Sequence, residues 1–475
     1  MLSNNNTPEG RGGTKKKQKR GRSPSPPSSA PSPPSSAALK APAMTARAHG
    51  ALALAEVAVP ELPRPTAPFL VLMLDRSGSM AGTRTSNMLR GVRALLKLLA
   101  AHVPDARVAL VGFHAAARVV FGAGSPADAL GAWAEIELAL YPAGGTDLAA
   151  ALREGLRVAL GSEGRAATLL LLTDGQDPSL GAALLSSPRG EEELDFEPAL
   201  RVSGIALHLV GICSDADAAV LETLGARTGG TFTCIDDTDI QGLMGSLLGL
   251  VLDQLPQAAR LTITAASGAS GASGGAAEKE IVVLLPERAV ILRSGATVRV
   301  PFELIGAFGV EGADVVTIDM RLRLVRVGTV DETERTFETR VALAASATAG
   351  GGAGGGAVVA AHAQAWYAAA ARAVAGLLIA GEFGAARDEV RQVQARLGAI
   401  AIAEGEGLDG IRAELEALAE RITEAAARDE HTLVRELSAR VASRASTVRN
   451  GGVSLGGGVD ESPSQSEMRA LSLAF

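Results

Sequence analysis

Phe69-Leu70-Val71-Leu72-Met73-Leu74-Asp75-Arg76-Ser77-Gly78-Ser79-Met80 decides how this chain is read. Six consecutive apolar residues stop at an Asp, and two serines follow at alternate positions. An apolar run of that length, bounded by Gly and Ser, is the pattern of a strand buried on both faces. Asp75, Ser77 and Ser79 supply one carboxylate and two hydroxyls, all hard oxygen donors of the kind Mg2+ prefers. Ligands of open α/β sheets bind just beyond the carboxyl ends of the strands. These oxygens therefore stand at the right end of the strand for a metal site.

Two later segments complete the set. Ala143-Gly144-Gly145-Thr146-Asp147-Leu148 is a Gly-rich turn that runs into Leu148, Leu152, Leu156 and Leu160, a helical spacing. Thr146 or Asp147 falls at the helix N-cap, where a short oxygen side chain is expected in any case. Thr168-Leu-Leu-Leu-Leu-Thr173-Asp174-Gly175 repeats the opening design, an apolar strand ending in a carboxylate and a glycine. Singly, Asp75, Ser77 and Asp174 have plain readings as turn or cap residues. Their order and context favour one joint site, because two apolar strands end in Asp and a Gly-Gly-Thr turn opens a helix between them.

Asp75-x-Ser77-x-Ser79, then Thr146, then Thr173-Asp174-Gly175 resembles the metal-ion-dependent adhesion site of the von Willebrand factor A (vWA) family. The resemblance covers residues 66–254, under half of the chain. It implies that Asp75, Ser77, Ser79, Thr146 and Asp174 hold Mg2+, with Mn2+ or Ca2+ as alternatives. It also implies an open coordination position for an Asp or Glu of a protein partner. All five positions carry the residue type the family uses.

The surrounding pattern fits a doubly wound, mostly parallel α/β sheet. Met88, Val92, Leu95, Leu96 and Leu99 mark an amphipathic helix after the first strand. Arg107–Phe113, Ala117–Phe121, Ile205–Gly211 and Thr231–Cys234 have the composition of strands, and Ser214-Asp215 and Asp239 are placed as caps of the helices that follow. Asp177–Pro198, with Glu191-Glu192-Glu193, is read as a solvated acidic insertion on the metal face.

Composition sets outer limits. The 475 residues are 47% hydrophobic and 3% aromatic, ample for more than one core. The net charge of −7 is uneven, with nine Lys/Arg and one acid in residues 1–50, which leaves −15 on the remainder. An acidic folded part disfavours nucleic-acid binding. Two cysteines, Cys213 and Cys234, are read as small hydrophobes in a reducing compartment, too few for a zinc finger or a RING module. Ala51–Pro60 is too late and too short for a secretory signal and is interrupted by Glu56. No run reaches the length of a membrane span. The expected location is intracellular and cytoplasmic, with Lys15–Arg20 as a candidate nuclear import patch.

The expected organisation runs in six parts. Residues 1–65 are a disordered basic Pro/Ser-rich tail, and 66–254 the α/β domain. Residues 258–345 form a small antiparallel, sandwich-like β-domain. A Gly/Ala linker at 346–361, a helical region at 362–445 and a disordered tail at 446–475 follow. This order resembles that of intracellular vWA proteins in which the A domain is followed by a β-domain and a helical tail. Some of those carry a RING and act as ubiquitin ligases, an activity this chain lacks the cysteines to support.

No Gly-x4-Gly-Lys-Ser/Thr loop is present. Gly-x-Ser-x-Gly occurs around Ser273 and Ser454, both in Gly-rich stretches rather than at a strand-to-helix turn. His114 follows a strand and could approach the metal face, though such a histidine is more often a satisfied surface or core residue. The expectation is thus a non-enzymatic, Mg2+-dependent protein-interaction module in an intracellular scaffold. A metal-dependent hydrolase and a scaffold with a vestigial metal site are the alternatives.

Overall fold

A computed structural model describes residues 41–49, 52–60, 68–161, 167–186, 194–203, 205–212, 216–228, 230–235, 240–253, 257–265, 283–290, 292, 295–304, 315–326, 335–344, 355–399, 407–428 and 431–449. The chain opens with β1 (Ala43–His49) and β2 (Leu52–Ala58). The α/β part follows as β3 (Phe69–Asp75), α1 (Thr83–His102), β4 (Arg107–Phe113), β5 (Ala117–Gly124), α2 (Pro126–Gly131), α3 (Trp133–Ala139) and α4 (Leu148–Leu160). It continues as β6 (Ala167–Thr173), α5 (Pro178–Ser186), α6 (Glu197–Ser203), β7 (Ala206–Ile212), α7 (Ala218–Thr228), β8 (Thr231–Ile235) and α8 (Ile240–Asp253).

These strands make a six-stranded sheet in the order β5-β4-β3-β6-β7-β8. Every neighbouring pair is parallel except β4 with the edge strand β5. β3 and β6 are buried along their whole length, as their apolar sequences require for central strands covered on both faces. On one face Leu70, Leu72 and Leu74 pack with Val92, Leu95 and Leu99 of α1 and with Leu243 and Leu247 of α8. On the other, Val71 and Met73 pack with Leu152 and Leu156 of α4 and with Leu221 and Leu224 of α7. The doubly wound sheet expected from the sequence is therefore present.

The remaining strands are β9 (Gln257–Ala265), β10 (Val283–Val290), β11 (Thr297–Glu303), β12 (Val315–Arg326) and β13 (Arg335–Ala344). The helices α9 (Gly355–Ile379), α10 (Phe383–Ala399), α11 (Gly407–Arg428) and α12 (His431–Arg449) close the described chain. A four-stranded antiparallel sheet runs β10-β9-β12-β13. β11 leaves that group and pairs with β2, giving a three-stranded sheet β1-β2-β11. The two sheets touch through β1 with β13 and β10 with β11.

Three expected boundaries are corrected by this arrangement. Residues 43–49 and 52–58, placed in a disordered tail, are strands, because β2 lies between β1 and β11 and buries Ala53, Leu54, Ala55 and Val57. The linker expected to run to residue 361 ends earlier, since α9 begins at Gly355 and buries Val358 and Val359. The helical region extends to Arg449, past the expected end at 445. Residues 1–40, 61–65, 346–354 and 450–475 lie outside the described residues.

The helical region joins the other parts. α9 packs on β1, β2 and β11, and α12 packs on α9, α7 and β8. His362 Nε2 lies 2.8 Å from the carbonyl oxygen of Ala53. Arg372 on α9 pairs with the buried Glu222 on α7 at 3.4 Å. Among the described residues, no helix is long and apolar enough to cross a membrane.

Candidate functional site

The parallel register sets Leu74 beside Leu172. It therefore delivers Asp75 and the pair Thr173-Asp174 side by side at the carboxyl edge of the sheet. Both oxygens of Asp75 are held there. Oδ1 accepts from the backbone N–H of Ser77 at 2.8 Å, and Oδ2 accepts from the hydroxyl of Thr173 at 2.6 Å. Asp75 is fully buried. Burial pushes its carboxyl up to about 6, and the charge of Asp174 adds to the rise, against the hydrogen bonds from Thr173 and Ser77.

Ser77 and Ser79 flank the start of a single 3-10 turn at Gly78–Met80, and their hydroxyl oxygens lie 2.9 Å apart. Thr146 is half-buried in the loop before α4. Of the two cap candidates there, Asp147 makes the N-cap bond, accepting from Ala150 N–H at 2.7 Å. Backbone bonds tie this loop to the serine turn: Gly78 N–H donates to Gly144 O at 3.0 Å and Ala143 N–H to Arg76 O at 2.7 Å. Asp147 N–H donates to His114 O at 2.8 Å.

Asp174 is also fully buried. Its Oδ1 accepts from Gln176 N–H at 3.3 Å. Its Oδ2 is buried and accepts no hydrogen bond. Gly175 has φ +73°, a turn in which a Cβ would meet Leu221 Cδ1 at 2.9 Å. The structure thus brings Asp75, Ser77, Ser79 and Asp174 to one sheet edge and fastens the loop of Thr146 to it.

Four residues of this site were not singled out from the sequence. Thr173, quoted within the third motif, is the direct link between β6 and Asp75. Asp177 accepts from Leu148 N–H through Oδ2 and from Leu180 N–H through Oδ1, so it ties α4 to α5. Asp217 donates its N–H to Asp174 O at 2.9 Å and caps α7 through Val220 N–H. Arg84, in the first turn of α1, donates to Ser79 O at 3.1 Å and lies 3.7 Å from Asp174 Oδ2. A cation opposes the dipole at a helix start, and that mismatch was the readable signal for Arg84.

The acidic segment after Asp177 is also corrected. It holds α5 and α6, and Leu180, Leu184, Phe196 and Leu200 join the core below α4 and α7. Glu191–Glu193, Ser214-Asp215 and Asp239 lie outside the described residues. Of the two readings of His114, the structure places it beside the Gly144 turn of the site. Its Nδ1 is buried without a hydrogen bond, 3.0 Å from where a Cβ on Gly144 would stand. Burial, with the charges of Arg76 and Arg118, holds its pKa below the ordinary value.

Residues 70–176 match the von Willebrand factor type A domain family. The chain contains a von Willebrand factor type A domain. The match spans β3 to the segment just past Asp174, and the sheet of this vWA domain continues beyond it to β8. Among solved structures, a von Willebrand factor type A protein from Catenulispora acidiphila is similar at 16% identity and a TM-score of 0.53, over 82% of this chain and 91% of that one. The ArnB paralog VWA2 from Sulfolobus acidocaldarius is similar at 14% identity and a TM-score of 0.49, over 87% of this chain and 99% of that one. At such identities the likeness is one of fold. No curated protein matches the chain in sequence.

Among the described residues, no three His, Cys, Asp or Glu side chains gather as a metal cluster. The donor set at the vWA sheet edge is of another kind, two carboxylates with hydroxyls. Such hard oxygens suit Mg2+ or Ca2+ rather than the softer metals that take His and Cys.

Proposed function

We propose that the vWA domain is a metal-dependent protein-interaction module. Domains of this family often bind proteins, and the finer reading concerns how this one does so. Asp75, Ser77, Ser79, Thr146 and Asp174 would hold Mg2+, or Mn2+ or Ca2+ in its place. The carrying observation is Asp174 Oδ2, a buried carboxylate oxygen with no hydrogen-bond donor, beside a second buried carboxylate. Burying a carboxylate oxygen that accepts no hydrogen bond is costly, and the Arg84 guanidinium reaches Asp174 Oδ2 only loosely at 3.7 Å, which supports a cation at this edge of the sheet.

A bound Mg2+ supplies a Lewis-acidic position that an Asp or Glu side chain of a partner protein can occupy. The chain's own residues orient that position. Thr173 and the Ser77 N–H fix the plane of Asp75, and the Gly78–Gly144 bond fixes the hydroxyl turn against the Thr146 loop. The reading is of a binding module rather than an enzyme, in an intracellular scaffold with the two antiparallel sheets and the helical region as its frame.

The test is a Mn2+ titration of the full chain followed by electron paramagnetic resonance. One bound ion per chain is expected, lost in Asp75→Ala and in Asp174→Asn, with circular dichroism checking that both variants fold. Immobilised peptides presenting Asp or Glu should then retain the wild type in Mg2+ and release it in EDTA. Retention that EDTA leaves unchanged would overturn the reading.

A further inference from the structure

We infer that Arg84 is a built-in counter-cation of this site: its guanidinium neutralises Asp174 in the metal-free protein and must leave it before a divalent ion binds. The inference rests on the metal-site reading above and concerns how that site is regulated.

Three observations carry it. Asp174 Oδ2 is buried and accepts no hydrogen bond, and the cation that the described residues bring within ion-pair distance is Arg84, with Nη1 at 3.7 Å. That separation is well beyond the 2.7–2.9 Å typical of a charge-assisted hydrogen bond. The contact is therefore a loose one, held in place by the 3.1 Å bond from the same Nη1 to Ser79 O.

The second observation is position. Arg84 stands in the first turn of α1, where exposed N–H groups make the helix end positive and disfavour a cation. A negative neighbour offsets that, and Asp174 provides it. The third is exposure. Asp174 is wholly buried while the Arg84 side chain is 24% exposed. The guanidinium thus reaches in from the solvent side, the side from which an ion arrives, and has water to return to.

The consequence is competition. A positive charge at this distance repels an arriving divalent ion and also occupies the oxygen that the ion needs. Removing it tightens metal binding and leaves Asp174 without its counter-charge when no ion is bound.

The experiment compares the full-length wild type, Arg84→Met and Arg84→Lys. Mn2+ affinity is read by electron paramagnetic resonance, and melting temperature is read with and without Mn2+. Arg84→Met should bind Mn2+ roughly tenfold more tightly than the wild type. Without metal it should melt lower, and with saturating Mn2+ the gap should close. Arg84→Lys, which keeps the charge, should stay near the wild type. If the wild type binds Mn2+ and Arg84→Met binds it equally or more weakly, the role of Arg84 is overturned and the metal site stands. If neither binds Mn2+, both are overturned. Should Arg84→Met fail to fold, Arg84→Gln gives the same comparison.

Discussion

The hydroxyl of Thr173 donates a 2.6 Å hydrogen bond to Oδ2 of Asp75, joining the ends of two central strands that lie 98 residues apart in sequence. Thr173 Oγ1 also accepts from the Gly175 N–H at 2.8 Å. One side chain thus sets the plane of Asp75 and the turn that carries Asp174. Thr173→Val keeps the shape and removes both bonds. Hydrogen bonds to charged groups contribute about 1.5–3 kcal/mol, so urea unfolding should show a loss of that order. Mn2+ affinity should fall in parallel, because Asp75 is no longer held. A variant that loses stability but keeps its affinity would show that the orientation of Asp75 does not matter to the ion.

Glu56 predicts a pH dependence in the three-stranded sheet. On the central strand β2 it faces Arg299 across to β11, accepting from Arg299 Nε at 3.1 Å and from Arg47 Nε on β1 at 3.1 Å. The hydrogen bond from Arg47 and then that from Arg299 hold its carboxyl below the ordinary 4.5, against the opposing effect of burial. A depressed acid protonates later in the folded state than in the unfolded chain. Its contribution is therefore full above about pH 4.5 and is lost as pH falls through the depressed value. Both arginines are well exposed, so the contribution is at most about 1 kcal/mol. Urea midpoints of the wild type and Glu56→Gln should differ by that order at pH 7 and converge near pH 3. A gap that stays constant with pH would assign the effect to packing.

Gly155 in α4 predicts a reversal of the usual helix preference. Alanine is normally better than glycine inside a helix by about 1 kcal/mol. Here a Cβ would stand 2.3 Å from Sδ of Met73 and 3.0 Å from its Cγ. Met73 is fully buried in β3, so its side chain can yield only by displacing its core neighbours. Overpacking costs about 1–3 kcal/mol, so Gly155→Ala should melt lower than the wild type. Met73→Ala opens a cavity of its own, but the two substitutions together should cost less than the sum of the single losses, a coupling that a double-mutant cycle reads directly. Additive effects of the two substitutions would place the strain elsewhere.

The α/β fold was legible because its signal is local. Phe69–Leu74 and Leu169–Leu172 are unbroken apolar runs, the pattern of strands covered on both faces. The donor residues were legible for the same reason, since each stands at a strand end or a helix start. The cap before α4 was open between Thr146 and Asp147, and packing assigned it to Asp147. The acidic segment after Asp177 misled because its charge content hid a core face: Leu180, Leu184 and Phe196 face inward, and Glu197 is itself buried.

What the amino-acid order determined by itself was therefore the set of elements and the chemistry at their ends. A residue's burial shows in its neighbours three or four positions away, or in every second one. Tertiary structure alone decided which distant residues meet: β2 with β11, Thr173 with Asp75, Arg84 with Asp174. Each of those pairings depends on how strands and helices settle against one another. The spacing along the chain that makes a strand or a helix visible carries no record of the partner it finds.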